Sequence, residues 1–233
     1  MKYIGSKSRI AKDLIQVIQP NKYNYYIEPF VGGCNMIDKV QCNNRIGYDS
    51  NYYLIAFLNK LKTNWELPYL SKEQYEDIKN NKKDYSDYLV GYAGIAASYC
   101  GKWFDSYAGK YTRPDRGNYV EDYMQQSINA INRQRKKLLD IEFECADYSE
   151  IKIPYNSVIY CDPPYSDLNH YKQEFDSNKF WDWVRDLSQY HDVYVSEYSA
   201  PDDFTCVWNQ QVTSYLSAGK NKKTTVEKLW CLL

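Results

Sequence analysis

The stretch Asp162-Pro163-Pro164-Tyr165 places a carboxylate, two prolines and an aromatic ring directly after the apolar run Val158-Ile159-Tyr160-Cys161. Proline fixes φ, removes a backbone donor and holds the residue before it extended, so the pair makes a stiff segment just past the end of a strand. The Asp162 carboxylate and the Pro163 carbonyl are then fixed acceptors that can take both hydrogens of an exocyclic amino group. The ring of Tyr165 can stack on the heterocycle carrying that amine. An aromatic amine is a poor nucleophile because its lone pair is delocalised into the ring. Acceptors around it favour the pyramidal form whose lone pair attacks an electrophilic methyl group, and fixed proximity lowers the barrier further. Such chemistry requires neither a metal nor a covalent intermediate. For Pro-Pro taken alone, the plainer alternative is that it ends a strand.

A second group lies earlier in the chain. Glu28-Pro29-Phe30-Val31-Gly32-Gly33-Cys34-Asn35 follows the apolar Tyr25-Tyr26-Ile27, and Arg45-Ile46-Gly47-Tyr48-Asp49 ends in an acid. A glycine turn after a first strand lets a cofactor approach the backbone, and an acid ending the second strand can accept from both hydroxyls of a ribose. The spacing is not G-x-G-x-x-G, so a nucleoside-bearing cofactor without a pyrophosphate fits better. S-adenosylmethionine is one.

Positioning these groups requires a sheet whose strands end side by side. The period of Ile10, Ala11, Leu14, Ile15 and Ile18 predicts an amphipathic helix over Ser6 to Gln19, stopped by Pro20. The pattern then runs strand (25–27), glycine turn into another helix, strand (45–49), and a helix with Leu54, Ile55, Leu58 and Leu61 on one face. It resumes late: Ile141 to Cys145 ends near Asp147, Val158 to Cys161 ends at Asp162, and Val193 to Ser196 ends at Glu197. A helix over Asn178 to Gln189 separates the last two, while Phe204 to Trp208 and Val226 to Leu232 can close the sheet. Short apolar runs of this kind are buried parallel strands, so the class is α/β with functional groups at the carboxyl ends of the strands.

Between these halves the pattern changes to polar helices and a loop rich in Gly, Tyr and basic residues. The expected division is a main domain over 1–59 and 137–233 with an inserted, mainly helical subdomain over 60–136. The net charge is only −1, which gives no global signal for a polyanion, yet residues 101–137 carry eight Lys or Arg against four acids. For Arg133 to Lys137 the plain alternative is a solvated helix face. The seven cysteines are scattered singly, with no C-x-x-C and only two histidines beside them, which argues against zinc, any other metal centre, and a disulfide framework. No apolar run reaches the roughly 18 residues of a membrane span and the first residues lack a signal-peptide block, so a soluble, cytoplasmic protein is expected. The 26 tyrosines accompany abundant Asn, Lys and Ile, as AT-rich codon usage produces, and carry little functional weight singly.

With these motifs in order, the sequence resembles the Dam family of adenine-specific DNA methyltransferases over nearly its whole length. The resemblance implies a Rossmann-like, S-adenosylmethionine-dependent methyltransferase sheet with helices on both faces and an inserted target-recognition subdomain. It implies that Lys2-Tyr3-Ile4-Gly5-Ser6-Lys7 holds the methionine carboxylate through Lys7 and Tyr3. It further implies that Glu28, Pro29, Phe30, Gly32, Gly33 and Asn35 line the cofactor pocket, that Asp49 binds the ribose, and that Asp147 and Tyr148 hold the adenine. Asp162, Pro163, Pro164 and Tyr165 are similar to the catalytic tetrapeptide, with Asp162 also bordering the cofactor. The implied reaction is methyl transfer to the N6 amine of an adenine flipped out of duplex DNA, leaving S-adenosylhomocysteine, in a bacterial or phage-infected cell, with no membrane and no required protein partner.

Two departures stand out. Cys34 replaces a further glycine of the family's turn, and Gly101 to Arg113 lacks the family's usual base-reading residues, so recognition of GATC does not follow. That loop nonetheless has what a flipped base requires: Trp103, Tyr107 or Tyr111 to wedge into the stack, Lys102 and Lys110 for phosphates, and Arg113 for a guanine edge. The alternative for its aromatics is packing within the insert. Two other readings of the chain remain open, an amino methyltransferase acting on cytosine N4 or an RNA base, and a non-catalytic DNA-binding relative.

Overall fold

The structure is a computed structural model, and it describes residues 1–164, 175–214 and 223–233. In chain order its main elements are α1 (Ala11–Ile18), β1 (Tyr25–Glu28), β2 (Asn44–Asp49), α2 (Tyr52–Leu61), α3 (Lys72–Asn80), α4 (Asp87–Ile95), β3 (Lys110–Arg113), β4 (Tyr119–Asp122), α5 (Tyr123–Arg135), β5 (Ile141–Cys145), β6 (Ser157–Cys161), α6 (Ser177–Ser188), β7 (Asp192–Ser196), β8 (Thr205–Ser214) and β9 (Lys223–Cys231).

Among the described residues, seven strands form one sheet in the order β5-β2-β1-β6-β7-β9-β8. The first five are parallel, and β9 turns antiparallel between β7 and β8. Every residue of β6 is buried, as expected for an apolar run in the middle of a parallel sheet. The period of two divides the strand residues between two cores. Tyr26, Val158 and Tyr160 pack with α1, α2, α4 and α5 on one face, while Ile27, Ile159 and Cys161 pack with α6 on the other. Helices therefore cover both faces, as the sequence predicts.

Three local expectations change. The first helix begins at Ala11, because Gly5 at φ +73 and Ile10, which caps without a side-chain hydrogen bond, leave residues 4–10 in turns. Those turns carry Lys7 inward. The glycine turn is followed by the 3-10 turn Ile37–Lys39 rather than an α-helix, since only a few residues separate it from β2. Within 60–136, α4 is apolar on all sides, with Val90 to Ile95 buried, and residues 110–122 form the antiparallel hairpin β3–β4 instead of an open loop.

Candidate active site

The chain reverses direction across the sheet between β1, whose neighbour on one side is β2, and β6 on the other. At such a switch point the loops after adjacent strands diverge and leave a crevice at their carboxyl ends. Here it is a cleft of about 670 Å³, lined by Lys7, Glu28, Asp49, Asp147 and Asp162 from the strand ends and the N-terminal turns. Tyr3, Phe30, Gly32, Gly33, Asn35, Tyr148, Pro163 and Pro164 also line it. Pro29 is buried and lies outside the lining; it keeps Glu28 extended at the end of β1. Tyr165 lies outside the described residues.

Lys7 is only 4% exposed, yet its Nζ donates to Asp162 Oδ1 at 2.7 Å and to the Gly5 carbonyl at 3.2 Å. Glu227 Oε2 on β9 stands 3.9 Å from the same ammonium. A buried cation needs such partners, because desolvation without them is costly. Glu28 is buried beneath, accepting from the Tyr26 hydroxyl at 2.8 Å. Burial pushes its carboxyl well above the usual range, and the neighbouring Asp162 charge adds to the rise against the Tyr26 hydrogen bond.

At the next strand, Asp49 accepts from the Gly32 amide at 3.1 Å and the Asn51 amide at 2.9 Å. Burial raises its carboxyl to about 6, against the pull of these two amides. Gly32 has φ +45 and carries the Tyr3 ring: a Cβ there would stand 2.7 Å from Tyr3 Cε1, and one on Gly33 2.5 Å from Tyr3 Cβ. The glycines therefore admit Tyr3 against the turn. Cys34 is fully buried at φ +57, a left-handed conformation that glycine adopts more readily. Burial pushes its thiol well above the usual range, so it is no nucleophile.

The far wall is aromatic. Phe30 lies 5.4 Å from the Tyr148 ring and 6.1 Å from that of Phe175. Asp147 is exposed beside them, its Oδ1 accepting from the Ser149 amide at 3.0 Å. The cleft thus offers, in one continuous space, a buried ammonium, a half-buried carboxylate at a glycine turn, and an aromatic wall with an exposed acid. These are the groups needed for an amino-acid carboxylate, a ribose diol and a purine. They fit S-adenosylmethionine.

The residues singled out in the basic loop divide. Trp103 packs inward, stacked on Tyr53 at 6.1 Å and edge-on to Phe104, and it lines the cleft. Tyr107 donates its hydroxyl to the Leu70 carbonyl at 2.6 Å and packs on Tyr75. Tyr111 stands out from β3 with 54% of its surface exposed. Each cation already has an acid: Lys102 with Asp105 at 2.9 Å, Lys110 with Asp122 at 3.6 Å, and Arg113 with Asp115 at 3.1 Å and Glu121 at 3.9 Å. Sequence reasoning missed the returning strand, where Tyr119 and Val120 are exposed, and missed Phe175, Asp176 and Lys179 at the cleft. Asp176 caps α6, a signal readable in sequence, but nothing local says what that helix start faces. Gln134, inside the basic run Arg133 to Lys137 for which a solvated face is the plain alternative, is buried against the glycine turn.

A family model described as D12 class N6 adenine-specific DNA methyltransferase matches residues 3–186. The Type II methyltransferase M.FokI of Planomicrobium okeanokoites is 23% identical over 186 residues, covering 71% of this chain and 28% of that protein. The DNA adenine methylase of Vibrio cholerae serotype O1 is 26% identical over 188 residues, covering 72% of this chain and 65% of that protein. The chain spans less than two thirds of the length of either. The solved rRNA methyltransferase aviRa from Streptomyces viridochromogenes aligns with 99% of this chain and 86% of its own at 11% identity and a TM-score of 0.46. Because the family match runs from the Lys7 segment through the cleft and the Asp162 tip into α6, the chain belongs to the D12 class N6 adenine-specific DNA methyltransferase family.

Proposed function

We propose that the protein transfers a methyl group from S-adenosylmethionine to the N6 amine of an adenine flipped out of duplex DNA. The observation that carries this reading is the convergence of Lys7, Asp49, Gly32 and Asp162 on one cleft, in a chain of this family. When bound, the cofactor supplies the electrophilic methyl group. Lys7 would hold its carboxylate, Asp49 its ribose, and Phe30, Asp147 and Tyr148 its adenine. Asp162 and the Pro163 carbonyl would accept the two amine hydrogens, Tyr165 would stack on the target base, and the amine's lone pair would be left to attack. The prolines keep those acceptors from rotating away, so little reorganisation remains for the reaction itself.

On the same reading, residues 60–136 select the target, with 1–59 and 137–233 carrying the chemistry. Duplex DNA is the partner, met in the cytoplasm of a bacterial or phage-infected cell. The hairpin β3–β4 is the outward element, with Tyr111 and Tyr119 exposed and Lys110, Arg113 and Arg116 beside them. Its acids would have to give up those cations to phosphates or base edges. Trp103 and Tyr107, which pack inward, support the loop rather than enter the base stack.

Incubating the protein with methyl-labelled S-adenosylmethionine and, in parallel, mixed-sequence duplex DNA or RNA, beside a DNA-protection assay, tests the reading. Label in N6-methyladenine is expected. Label in cytosine N4 or in RNA instead would reassign the substrate, and no label in any nucleic acid, with DNA still protected by occupancy, would leave a DNA-binding relative.

A further inference from the structure

Cys34 holds a left-handed backbone, φ +57, although it carries a Cβ. That conformation is disfavoured for any residue but glycine unless the surroundings fix it. The turn itself supplies one local restraint, the Cys34 amide donating to the Val31 carbonyl at 2.9 Å, and further contacts come from a residue distant in sequence. Gln134, 6% exposed in the last turn of α5, shares the two hydrogens of Nε2 among the Gly33 carbonyl at 3.2 Å, the Cys34 carbonyl at 3.0 Å and Asp38 Oδ2 at 3.1 Å. Its Oε1 accepts from the Met1 amine, which orients the amide with its nitrogen toward the turn. Two successive carbonyls aimed at one nitrogen restrain ψ of Gly33 and both dihedrals of Cys34.

The restraint bears on the cleft because Gly33 and Asn35, either side of Cys34, line it. Were Cys34 to relax to a negative φ, the Gly33 to Asn35 wall would have to move. The clamp also arrives from the segment that ends the hairpin, since Asp122, the last residue of β4, caps the start of α5.

We propose that Gln134 is a positioning residue for cofactor binding, holding the Gly33-Cys34 turn in the left-handed shape that forms the cofactor wall. This rests on the cofactor reading above. It also explains how the chain holds a cysteine at this left-handed position: a carboxamide adds to the turn's own hydrogen bonds.

The test is calorimetric titration of S-adenosylhomocysteine into the full chain as wild type, Gln134→Met, Cys34→Gly and the double variant. Methionine keeps the volume and removes the donor. We expect Gln134→Met to bind roughly ten-fold more weakly, the scale of losing one buried donor, with KM for S-adenosylmethionine rising in parallel and kcat changing less than about two-fold. In the Cys34→Gly background the turn takes its positive φ unaided, so the loss caused by Gln134→Met shrinks to less than about three-fold. Equal affinity of wild type and Gln134→Met, or the same loss in both backgrounds, overturns the proposal. If the single variant does not fold, rescue by Cys34→Gly is the expected result and an unfolded double variant the overturning one. Wild type that binds no S-adenosylhomocysteine would sink the cofactor reading instead.

Discussion

Lys7 Nζ and Asp162 Oδ1 are 2.7 Å apart, so the ammonium read as the anchor of the cofactor's carboxylate is hydrogen-bonded to the carboxylate read as catalytic. The pair joins the N-terminal turns to the tip of β6, and a charge-assisted bond of this length orients both groups. On the proposed reading the two residues nevertheless have separable roles. Asp162→Asn keeps the volume and leaves Lys7 beside Glu227, so affinity for S-adenosylhomocysteine should stay within about three-fold while kcat falls roughly 10²–10⁴-fold. Lys7→Met should lose both. Calorimetry beside single-turnover methylation checks this, and loss of cofactor binding in Asp162→Asn would assign that carboxylate to the cofactor instead.

Asp49 sets a pH dependence. Burial lifts its carboxyl from 3.8 to about 6 in the folded protein. On the proposed reading ribose hydroxyls donate to the ionised form, so affinity for S-adenosylhomocysteine should be flat above about pH 7 and fall by up to about ten-fold per unit below pH 6. Asp49→Asn should bind weakly at every pH. For the protein without cofactor the sign reverses. A raised acid pKa means the folded state holds its proton longer than the unfolded, so this group's contribution to stability is full below pH 3.8 and lost as the pH rises through about 6. Titrations from pH 5 to 8 and thermal melts from about pH 3.5 to 8 measure the two slopes.

Asp49 and Asp162 were legible because each ends an apolar strand, and parallel strands bring their carboxyl ends together wherever they lie in the chain. The tip Asp162-Pro163-Pro164 and the acid Asp49 follow from that rule. What was not legible depends on long-range packing. Trp103 has the composition of a DNA wedge, but Gly94 on α4 leaves a slot for its ring, where an added Cβ would stand 2.4 Å from Trp103 Cζ3. Gln134 sits among Arg133, Arg135, Lys136 and Lys137 and reads as solvated until α5 docks on the glycine turn. The hairpin is polar on both faces, so alternation gave no strand signal there, although Gly117 and Asn118, both at positive φ, mark its turn.

The split between Trp103 and Tyr111 predicts different losses. Tyr111→Ala should weaken binding to duplex DNA by roughly ten-fold, the scale of one lost aromatic contact, while leaving the melting temperature and cofactor affinity unchanged. Trp103→Ala should act on the fold, costing about 2–4 kcal/mol because the ring fills the space between Tyr53, Phe104 and Gly94. Fluorescence anisotropy on a DNA duplex and denaturant titration separate the two. An unchanged stability for Trp103→Ala would return that residue to the DNA surface.

Gly91 tests whether residues 60–136 stand apart from the rest of the chain. It lies on α4 where α4 crosses α2, and an added Cβ would stand 2.0 Å from the Tyr53 carbonyl and 2.9 Å from Phe57 Cβ. Backbone cannot yield as a side chain can, so Gly91→Ala should force the helices apart and cost about 3 kcal/mol, the upper range for overpacking. Gly117→Ala, at φ +64 with nothing within 4 Å, should cost only about 1 kcal/mol, from backbone strain alone. Because Val90, Tyr92 and Ile95 share one core with Leu54, Phe57 and Ile131, the Gly91→Ala loss should appear as one cooperative transition at a lower temperature, with cofactor affinity lost in the same step. Calorimetry that instead resolves an early transition, with S-adenosylhomocysteine still bound above it, would make residues 60–136 a lobe that folds by itself.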